Sequence, residues 1–424
     1  MEKQELFDTY LSILNEELVV AFGCTEPIAI AYAAAVAREY LGEFPERMNV
    51  NASGNIIKNV KSVVVPNSGG LHGIEVSALM GVVCGDPSKK LEVIKEATDQ
   101  DRAKVRELYN KKFCSVHVCN TKASLKVELT VYKGDHYVSI TILHVHTNIT
   151  KIEKNGEILF ESKCSESNFN ESLTDHSVLA LPDIVRFANE VELSRVSELI
   201  ERQIDLNLAI ANEGIAHNWG ARVGKTISLD ATDLFTKAKA MAAAGSDARM
   251  GGCSMPVVVN SGSGNQGITA SVPVIVYAQE KQIPKERLIR GLLISNLVAV
   301  MIKSSMSRLS AFCGAVSASC GTAAAFTYLA GGSLQQIADA VINLLGNVSG
   351  IICDGAKSSC AAKIAASLDA AILGHKLAMQ GLAFHGGDGI IKDTINQTLR
   401  AVSRLEGEGM KQTDAVVLDI MTSE

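Results

Sequence analysis

Residues 126–143, KVELTVYKGDHYVSITIL, alternate apolar and polar side chains in two runs on either side of a Lys133-Gly134-Asp135 turn. Alternation with a period of two is typical of strands that bury one face, and the turn between the runs predicts a hairpin. Asn155-Gly156 marks a second turn of the same kind. The region 115–162 is therefore predicted to form an antiparallel meander.

The pattern changes on the N-terminal side of this meander. Residues 5–20 and 27–41 are predicted to be helices, the second rich in Ala, and they meet at a Gly-Cys-Thr-Glu-Pro corner. The apolar run 55–65 is predicted to be a strand, closed by a Pro-Asn-Ser-Gly-Gly turn. Residues 91–109 carry many charges and are predicted to form an exposed amphipathic helix.

A polar stretch, residues 161–176, marks a domain boundary, beyond which strand signals nearly cease. The predicted helices after it are 182–190, 193–212, 231–244, 285–305, 315–330, 334–346, 359–380 and 391–406. The expected fold class is α+β: an N-terminal α/β part with antiparallel strands, followed by an all-α C-terminal domain. Three units are expected: N-terminal helices (1–45) packed on the C-terminal domain, an α/β domain (46–175) and the all-α domain (176–424).

The bulk composition excludes several classes of partner. The net charge of −6 provides no basic surface for nucleic acid. The first residues do not have the pattern of a signal peptide, so a cytoplasmic location is expected, where ten cysteines are inert, catalytic or metal-binding rather than disulfide-bonded. Residues 310–333 are uncharged but rich in Ala, Gly and Ser, which favours a buried helix over a membrane span. A small molecule is the expected partner, and a homodimer is compatible with the sequence.

Cys24 lies in the stretch VAFGCTEPIAI, residues 20–30. Thr25 is a good N-cap and Pro27 is tolerated in the first turn, so the thiol is expected at a helix N-terminus. The partial positive charge there lowers the pKa of a thiol and favours the reactive thiolate. The alternative is that Cys24 is a buried cysteine that acts as a small apolar side chain.

The stretch Gly262–Gly267, GSGNQG, matches the G-x-G-x-x-G pattern of dinucleotide-binding loops. That pattern requires a following helix, whereas residues 268–276 are β-branched and contain Pro273, which disfavours one. Dinucleotide binding is therefore not expected. The loop N–H groups and the amides of Asn265 and Gln266 are still suited to a small anion such as a substrate carboxylate.

Two groups of metal-ligand residue types occur in the sheet region and in the helical region. The first combines the segment Cys114-Ser-Val-His117-Val-Cys119 with two later histidines, His144 and His146, and suggests zinc. Cys114 and Cys119 have opposite strand parity, however, so one regular strand cannot direct both to one ion, and a half-polar sheet face is favoured.

The second group consists of Cys313, Cys353 and Cys360, which all lie near predicted helix N-termini. Helix N-termini stabilise negative charge, so a thiolate-ligated iron–sulfur cluster, which is anionic, suits these positions. The spacing matches neither ferredoxin pattern, and buried structural cysteines are the alternative.

The chain resembles the L-cysteine desulfidase family, formerly an uncharacterised protein family, which is related to iron–sulfur L-serine dehydratases. The resemblance rests on four motifs that span nearly the whole chain: GCTEP at 23–27, GNQGI at 264–268, SAFCG at 310–314 and CDGAKSSC at 353–360. It implies that Cys313, Cys353 and Cys360 hold a 4Fe-4S cluster, that Cys24 is the base, and that no pyridoxal phosphate takes part. It also implies a C-terminal domain like that of the serine dehydratase alpha chain.

The resemblance implies β-elimination of L-cysteine to pyruvate, ammonia and hydrogen sulfide. The alternatives are L-serine dehydratase activity with the same cluster, or a cluster- or metal-holding protein without catalysis. Asn67 and Ser68 of the Gly-rich turn are candidates for substrate binding together with Asn265 and Gln266, although such residues commonly serve turn geometry. Four further residues have structural roles by default but could assist the site: His217, Cys320, Lys357 and His385.

Overall fold

The computed structural model of the chain describes residues 2–166, 174–306 and 311–423. Its strands are β1 (Val20–Phe22), β2 (Arg47–Ala52), β3 (Cys114–Val118), β4 (Lys126–Lys133), β5 (His136–Leu143), β6 (Ile149–Lys154), β7 (Glu157–Glu161) and β8 (Pro256–Val258). Its helices are α1 (Lys3–Glu17), α2 (Thr25–Leu41), α3 (Gly54–Val60), α4 (Ile74–Cys84), α5 (Asp99–Asn110), α6 (Leu181–Glu190), α7 (Ser197–Ala216), α8 (Val223–Ser228), α9 (Leu234–Met250), α10 (Gly264–Glu280), α11 (Lys285–Ser304), α12 (Gly314–Leu329), α13 (Leu334–Asn347), α14 (Cys360–Met379), α15 (Ile395–Arg404) and α16 (Lys411–Thr422).

Six strands form one sheet in the order β3-β2-β4-β5-β6-β7. The pairs from β2–β4 to β6–β7 are antiparallel, with Leu129 opposite Ile140 at the centre, which confirms the predicted α+β class and the hairpins at both predicted turns. The alternating Val127, Leu129 and Val131 are fully buried. The sequence did not predict β2, which also pairs in parallel with β3 and joins it to the meander.

Helix α2 lies on the apolar face of this sheet, against β4 and β5, and also packs against α4. Its Ala-rich sequence leaves almost every residue from Thr25 to Ala37 buried. Small side chains let helix and sheet backbones approach closely, so α2 is held between two layers rather than at the surface. This placement fixes the start of α2, and therefore Cys24, in the interior.

The helical part packs around α10, α11 and α12, and two segments from the N-terminus join it. Phe7 of α1 makes an edge-on contact with Phe187 of α6, their ring centroids 5.1 Å apart. Strand β1 pairs with β8, Val20 opposite Val258. Contacts of the first 45 residues are thus divided: α1 and β1 join the helical part, whereas α2 joins the sheet.

Two segments differ from the secondary structure that the sequence predicts. Residues 55–65, expected to be a strand, contain α3, because Ile56, Ile57 and Val60 have the spacing of one helical face and that face is buried. Residues 268–276 lie within the continuous helix α10 despite their β-branched side chains and Pro273. Burial of almost the whole of α10 outweighs its weak helix propensity.

Pro273 is accommodated by a neighbouring side chain. A proline at this position removes the N–H that would bond the carbonyl of Thr269 four residues earlier. The Thr322 hydroxyl of α12 donates to that carbonyl instead, with Oγ1 2.7 Å from the oxygen. The freed acceptor is therefore satisfied inside the core.

The remaining helix predictions agree with the structure, with adjusted boundaries. The eight helices predicted after residue 176 all occur, while α8, α10 and α16 were not predicted. The corner after α1 contains β1, so the two N-terminal helices do not meet directly. Residues 167–173 of the predicted boundary stretch and Ser310 of the SAFCG motif lie outside the described residues. Among the described helices, none combines the length and apolar character needed to cross a bilayer.

Candidate functional site

Four helices, α2, α10, α12 and α14, begin at one cavity between the sheet and the helical part. Its empty volume is about 840 Å³, including space open to solvent. It is lined by Cys24, Glu26, Lys58, Asn59, Leu125, His146, Arg249, Ser261, Gly262, Ser263, Asn265, Gln266, Lys303, Phe312, Cys313, Gly314, Ala315, Cys353, Gly355, Ala356, Cys360 and Ile364. The four cysteines to which the family resemblance gives a role, Cys24, Cys313, Cys353 and Cys360, are in this set. Helix N-termini carry partial positive charge, so their convergence favours an anionic occupant.

Cys313 and Cys353 are placed side by side by a short antiparallel bridge. The Cys313 N–H donates to the Ile351 carbonyl and the Cys353 N–H donates to the Ala311 carbonyl, both at 2.7 Å. The two thiol groups are hydrogen-bonded to each other. Cys313 is also the N-cap of α12, so the bridge positions both sulfurs at the start of that helix.

Cys360 is the first residue of α14 and completes the cysteine cluster. Its Sγ lies 3.5 Å from the Lys357 backbone nitrogen, which donates to it, and 3.6 Å from the Gly355 carbonyl. Gly355 has a φ of +95°, and a Cβ there would lie 2.2 Å from the Lys58 carbonyl. Only glycine therefore allows the loop between Cys353 and Cys360 to pack this closely on α3.

The electrostatics of the three thiols are uneven. The hydrogen bond from Cys313 lowers the pKa of Cys353 to about 6, against the effect of burial, with further lowering from the Lys58 and Lys303 ammonium groups. The same hydrogen bond and burial raise the pKa of Cys313 well above its ordinary value. Burial raises the pKa of Cys360. The cluster can thus hold one thiolate beside two thiols.

Cys24 is the N-cap of α2, and Thr25, predicted as the N-cap, is its first residue. Only 1% of Cys24 is exposed, and its thiol donates to Glu26 Oε2 at 3.2 Å. Burial, followed by the Glu26 carboxylate, raises the pKa of Cys24 well above its ordinary value. The expectation of a thiol pKa lowered by the helix N-terminus is therefore wrong.

Glu26 is a buried carboxylate that the sequence analysis did not single out. Oε2 also lies 3.0 Å from the Thr25 hydroxyl, and Oε1 accepts from Asn59 Nδ2 at 3.0 Å. Burial alone would raise the pKa of Glu26, but His146, the Cys24 thiol and Arg249 outweigh it, and the net pKa is lowered. The signal available in the sequence was a carboxylate two residues after the cysteine in the GCTEP motif.

Among the described residues, three with cationic side chains line the cavity: Lys58, Arg249 and Lys303. Arg249 Nε donates to the Gly23 carbonyl at 3.1 Å, which ties α9 to the residue before Cys24. Lys58 is almost fully buried and its Nζ lies 2.7 Å from Asp414 Oδ1 of α16. These residues are distant in sequence from the cysteines, so no local motif pointed to them.

Asn265 and Gln266, predicted in a loop as candidates for substrate binding, lie in the first turn of α10 and line the cavity. Their side-chain oxygens and Asn59 Oδ1 are buried and have no hydrogen-bond partner within the described part of the chain. A buried polar atom without a partner costs about 1–3 kcal/mol, so three of them at one cavity indicate a polar occupant.

The structure does not bring Asn67 and Ser68 to this cavity. The Asn67 amide donates to backbone carbonyls such as that of Lys95 at 3.0 Å, and its oxygen accepts from Arg102 at 2.7 Å. Ser68 Oγ accepts from the Leu71 N–H at 3.0 Å. Both side chains stabilise the turn, which is the alternative that the sequence left open.

The cysteine–histidine group of the sheet region is dispersed. Cys114 is buried in the core, while His117 on the same strand is exposed. The strand β3 is therefore half-polar, as the alternation of its side chains predicted. His144 Nε2 lies 2.8 Å from the Ser165 carbonyl, and His146 instead lines the cavity. Within residues 2–166, 174–306 and 311–423, no three His, Cys, Asp or Glu side chains converge to hold a single metal ion.

The four secondary candidates lie outside the cavity lining. Cys320 is fully buried in α12, and His385 is exposed. His217 Nδ1 lies 2.9 Å from Glu213, and Lys357 Nζ lies 2.8 Å from Asp354. Their contacts are those of structural residues.

Comparison with known proteins identifies the family. The family model described as serine dehydratase alpha chain matches residues 88–419. The chain is 47% identical to a UPF0597 protein of Lachnoclostridium phytofermentans over 417 residues, which cover 98% of this chain and 100% of that protein. It is 47% identical to one of Desulfitobacterium hafniense over 426 residues (100% and 99% covered) and 46% identical to one of Treponema denticola over 424 residues (98% of each). Serine dehydratase is a lyase, which supports a lyase-like relationship. The chain belongs to the serine dehydratase alpha chain family and to the UPF0597 proteins.

Proposed function

We propose that this protein is a β-eliminating lyase that converts L-cysteine to pyruvate, ammonia and hydrogen sulfide. The observation that carries the proposal is the meeting of Cys24, Cys313, Cys353 and Cys360 at one cavity that cationic and amide side chains also line. Buried structural cysteines have no need of the surrounding helix N-termini, lysines and unpartnered amide oxygens. The family relationship with serine dehydratase points to the same reaction class.

The donor set of the cavity fits a 4Fe-4S cluster held by Cys313, Cys353 and Cys360. Thiolates are the usual ligands of such clusters, and each binds a separate iron, so the cysteines need not converge on one point as the ligands of a single ion must. Lys58, Lys303 and the helix N-termini supply positive charge for an anionic group. When bound, the cluster supplies a Lewis-acidic iron without redox change.

The chain's own residues supply binding and proton transfer. The Asn265 and Gln266 amides, beside the positive charge of Arg249, are suited to the carboxylate and amino groups of an amino acid. In this proposal Cys24, which lines the same cavity, accepts the α-proton. Loss of the β-substituent then gives aminoacrylate, which hydrolyses to pyruvate and ammonia.

The second candidate is L-serine dehydratase activity, which the description of the matching family model favours. Hydrosulfide leaves more readily than hydroxide, so a serine enzyme needs more assistance at the β-substituent. The motif resemblance favours L-cysteine. A comparison of pyruvate formation from the two amino acids decides between them.

The test is purification without oxygen, followed by metal, sulfide and activity analysis. We expect about four irons per chain and release of sulfide and pyruvate from L-cysteine without added pyridoxal phosphate. Cys353→Ser should lose iron and activity together. The matched control is Cys320→Ser, because Cys320 is buried in α12 but does not line the cavity, and it should keep both. Full activity in colourless, iron-free anaerobic protein would refute the proposal.

A further inference from the structure

The carboxylate of Glu26 is buried and enclosed by polar groups, although no role in holding the cysteine cluster calls for this. Its two oxygens are held by groups from two elements: the Cys24 thiol and Thr25 hydroxyl at Oε2, at 3.2 and 3.0 Å, and Asn59 Nδ2 at Oε1, at 3.0 Å. Burial of an ionised carboxylate is costly unless donors and positive charge compensate it. His146, in the loop after β5, and Arg249 of α9 both favour the ionised carboxylate.

We propose that Glu26 is the proton acceptor for the Cys24 thiol during β-elimination. This inference rests on the proposed function. The α C–H bond of the substrate breaks, its proton goes to Cys24 Sγ, and the thiol's own proton goes to Glu26 Oε2. The electron pair of the C–H bond forms the new Cα=Cβ bond, and the bond from Cβ to the β-substituent breaks, with its electron pair leaving on that substituent. Glu26 acts through Cys24 and is therefore a positioning residue.

The geometry explains how a protonated thiol can serve as a base. The resting pair is a thiol and a carboxylate, because burial and Glu26 disfavour the Cys24 thiolate while His146, Cys24 and Arg249 favour the Glu26 carboxylate. A thiol that passes its proton on as it receives another never becomes a free thiolate. The charged and titratable groups that act on this pair are His146, Arg249 and the pair itself.

The test compares Glu26→Gln with Glu26→Asp and with a buried carboxylate elsewhere. Glu26→Gln should lower kcat at neutral pH by about 100-fold or more, with little change in KM or iron content. Its remaining activity should rise with pH, because Cys24 must then act as a thiolate. Glu26→Asp keeps a carboxylate and should recover part of kcat and the wild-type pH profile. Glu17→Gln is the matched control, since Glu17 is buried outside the cavity and should leave kcat unchanged.

A second measurement does not depend on turnover. Mass spectrometry after brief iodoacetamide treatment reports alkylation of Cys24 alone. At pH 8 its rate should be about tenfold higher in Glu26→Gln, because loss of the neighbouring negative charge favours the thiolate. The proposal is overturned if Glu26→Gln lowers kcat equally at every pH, or if its alkylation rate equals that of the wild type. If Glu26→Gln does not fold, the pH dependence of Cys24 alkylation in the wild type decides. A rate that reaches its plateau below pH 8 would mean that Cys24 is a thiolate at rest, which contradicts the proposal. A wild type inactive on both amino acids refutes the proposed function, while the alkylation result still tests the thiol–carboxylate pair.

Discussion

The hydrogen bond from Thr322 to the Thr269 carbonyl gives a prediction about how α10 is held at the cavity. Pro273 cannot donate to this carbonyl, and the Thr322 hydroxyl, 2.7 Å away, takes the place of the missing N–H. Both threonines are fully buried, so Thr322→Val leaves an acceptor without water or protein partner. We expect the free energy of unfolding to fall by about 1–3 kcal/mol.

A double-mutant cycle separates this hydrogen bond from other effects of the substitution. In a Pro273→Ala background the restored Ala N–H donates to the Thr269 carbonyl, so Thr322→Val should cost less than about 0.5 kcal/mol there. Urea unfolding of the four proteins gives the coupling energy, expected to be about 1 kcal/mol or more. An equal cost of Thr322→Val in both backgrounds would refute this account of how Pro273 fits within α10.

Three further predictions concern pH, the cysteine loop and the C-terminal helix. Burial lowers the pKa of His375 to about 4. The folded state therefore binds fewer protons than the unfolded state between pH 6.5 and 4, and the free energy of unfolding should fall by up to about 3 kcal/mol as the pH drops through this range. Urea unfolding at several pH values should show a smaller fall for His375→Gln. Gly355→Ala should weaken iron retention in anaerobic dialysis and lower Tm, because the new Cβ meets the Lys58 carbonyl at 2.2 Å in a left-handed conformation. Asp414→Asn should destabilise the protein by about 2 kcal/mol in urea unfolding, because it leaves the buried Lys58 ammonium without its carboxylate 2.7 Å away; an unchanged midpoint would contradict this.

The antiparallel part of the sheet, from β4 to β7, was predictable because its signal is local, whereas β2 was not predicted. The alternation in residues 126–143 and the two glycine turns determine both the faces and the hairpins, and neither depends on distant residues. Helices α3 and α10 were not predictable in this way. Their propensities favour strands, and burial against α2, α11 and α12 decides the outcome instead.

In the candidate site too, the residues marked by local sequence were predicted and those brought in by tertiary packing were not. Cys24, Cys313 and Cys360 were found because each lies at a helix start that the local sequence marks. Lys58 and Arg249 were missed because they reach the cavity from the middle of α3 and the end of α9, where nothing nearby in sequence distinguishes them. Tertiary packing alone brings these cations to the thiols.

Cys24 was correctly predicted at a helix N-terminus, yet its pKa is raised rather than lowered. A charge at a helix N-terminus is stabilised by about 0.3–1 kcal/mol, which corresponds to less than one pKa unit. Full burial can shift a pKa by about 3–5 units, and Glu26 adds a negative charge in contact with the thiol. The larger effects both favour the protonated thiol, so a helix N-terminus cannot by itself make Cys24 a thiolate. If Cys24 is the base, a partner must accept the thiol's own proton, and the adjacent Glu26 carboxylate is placed to do so.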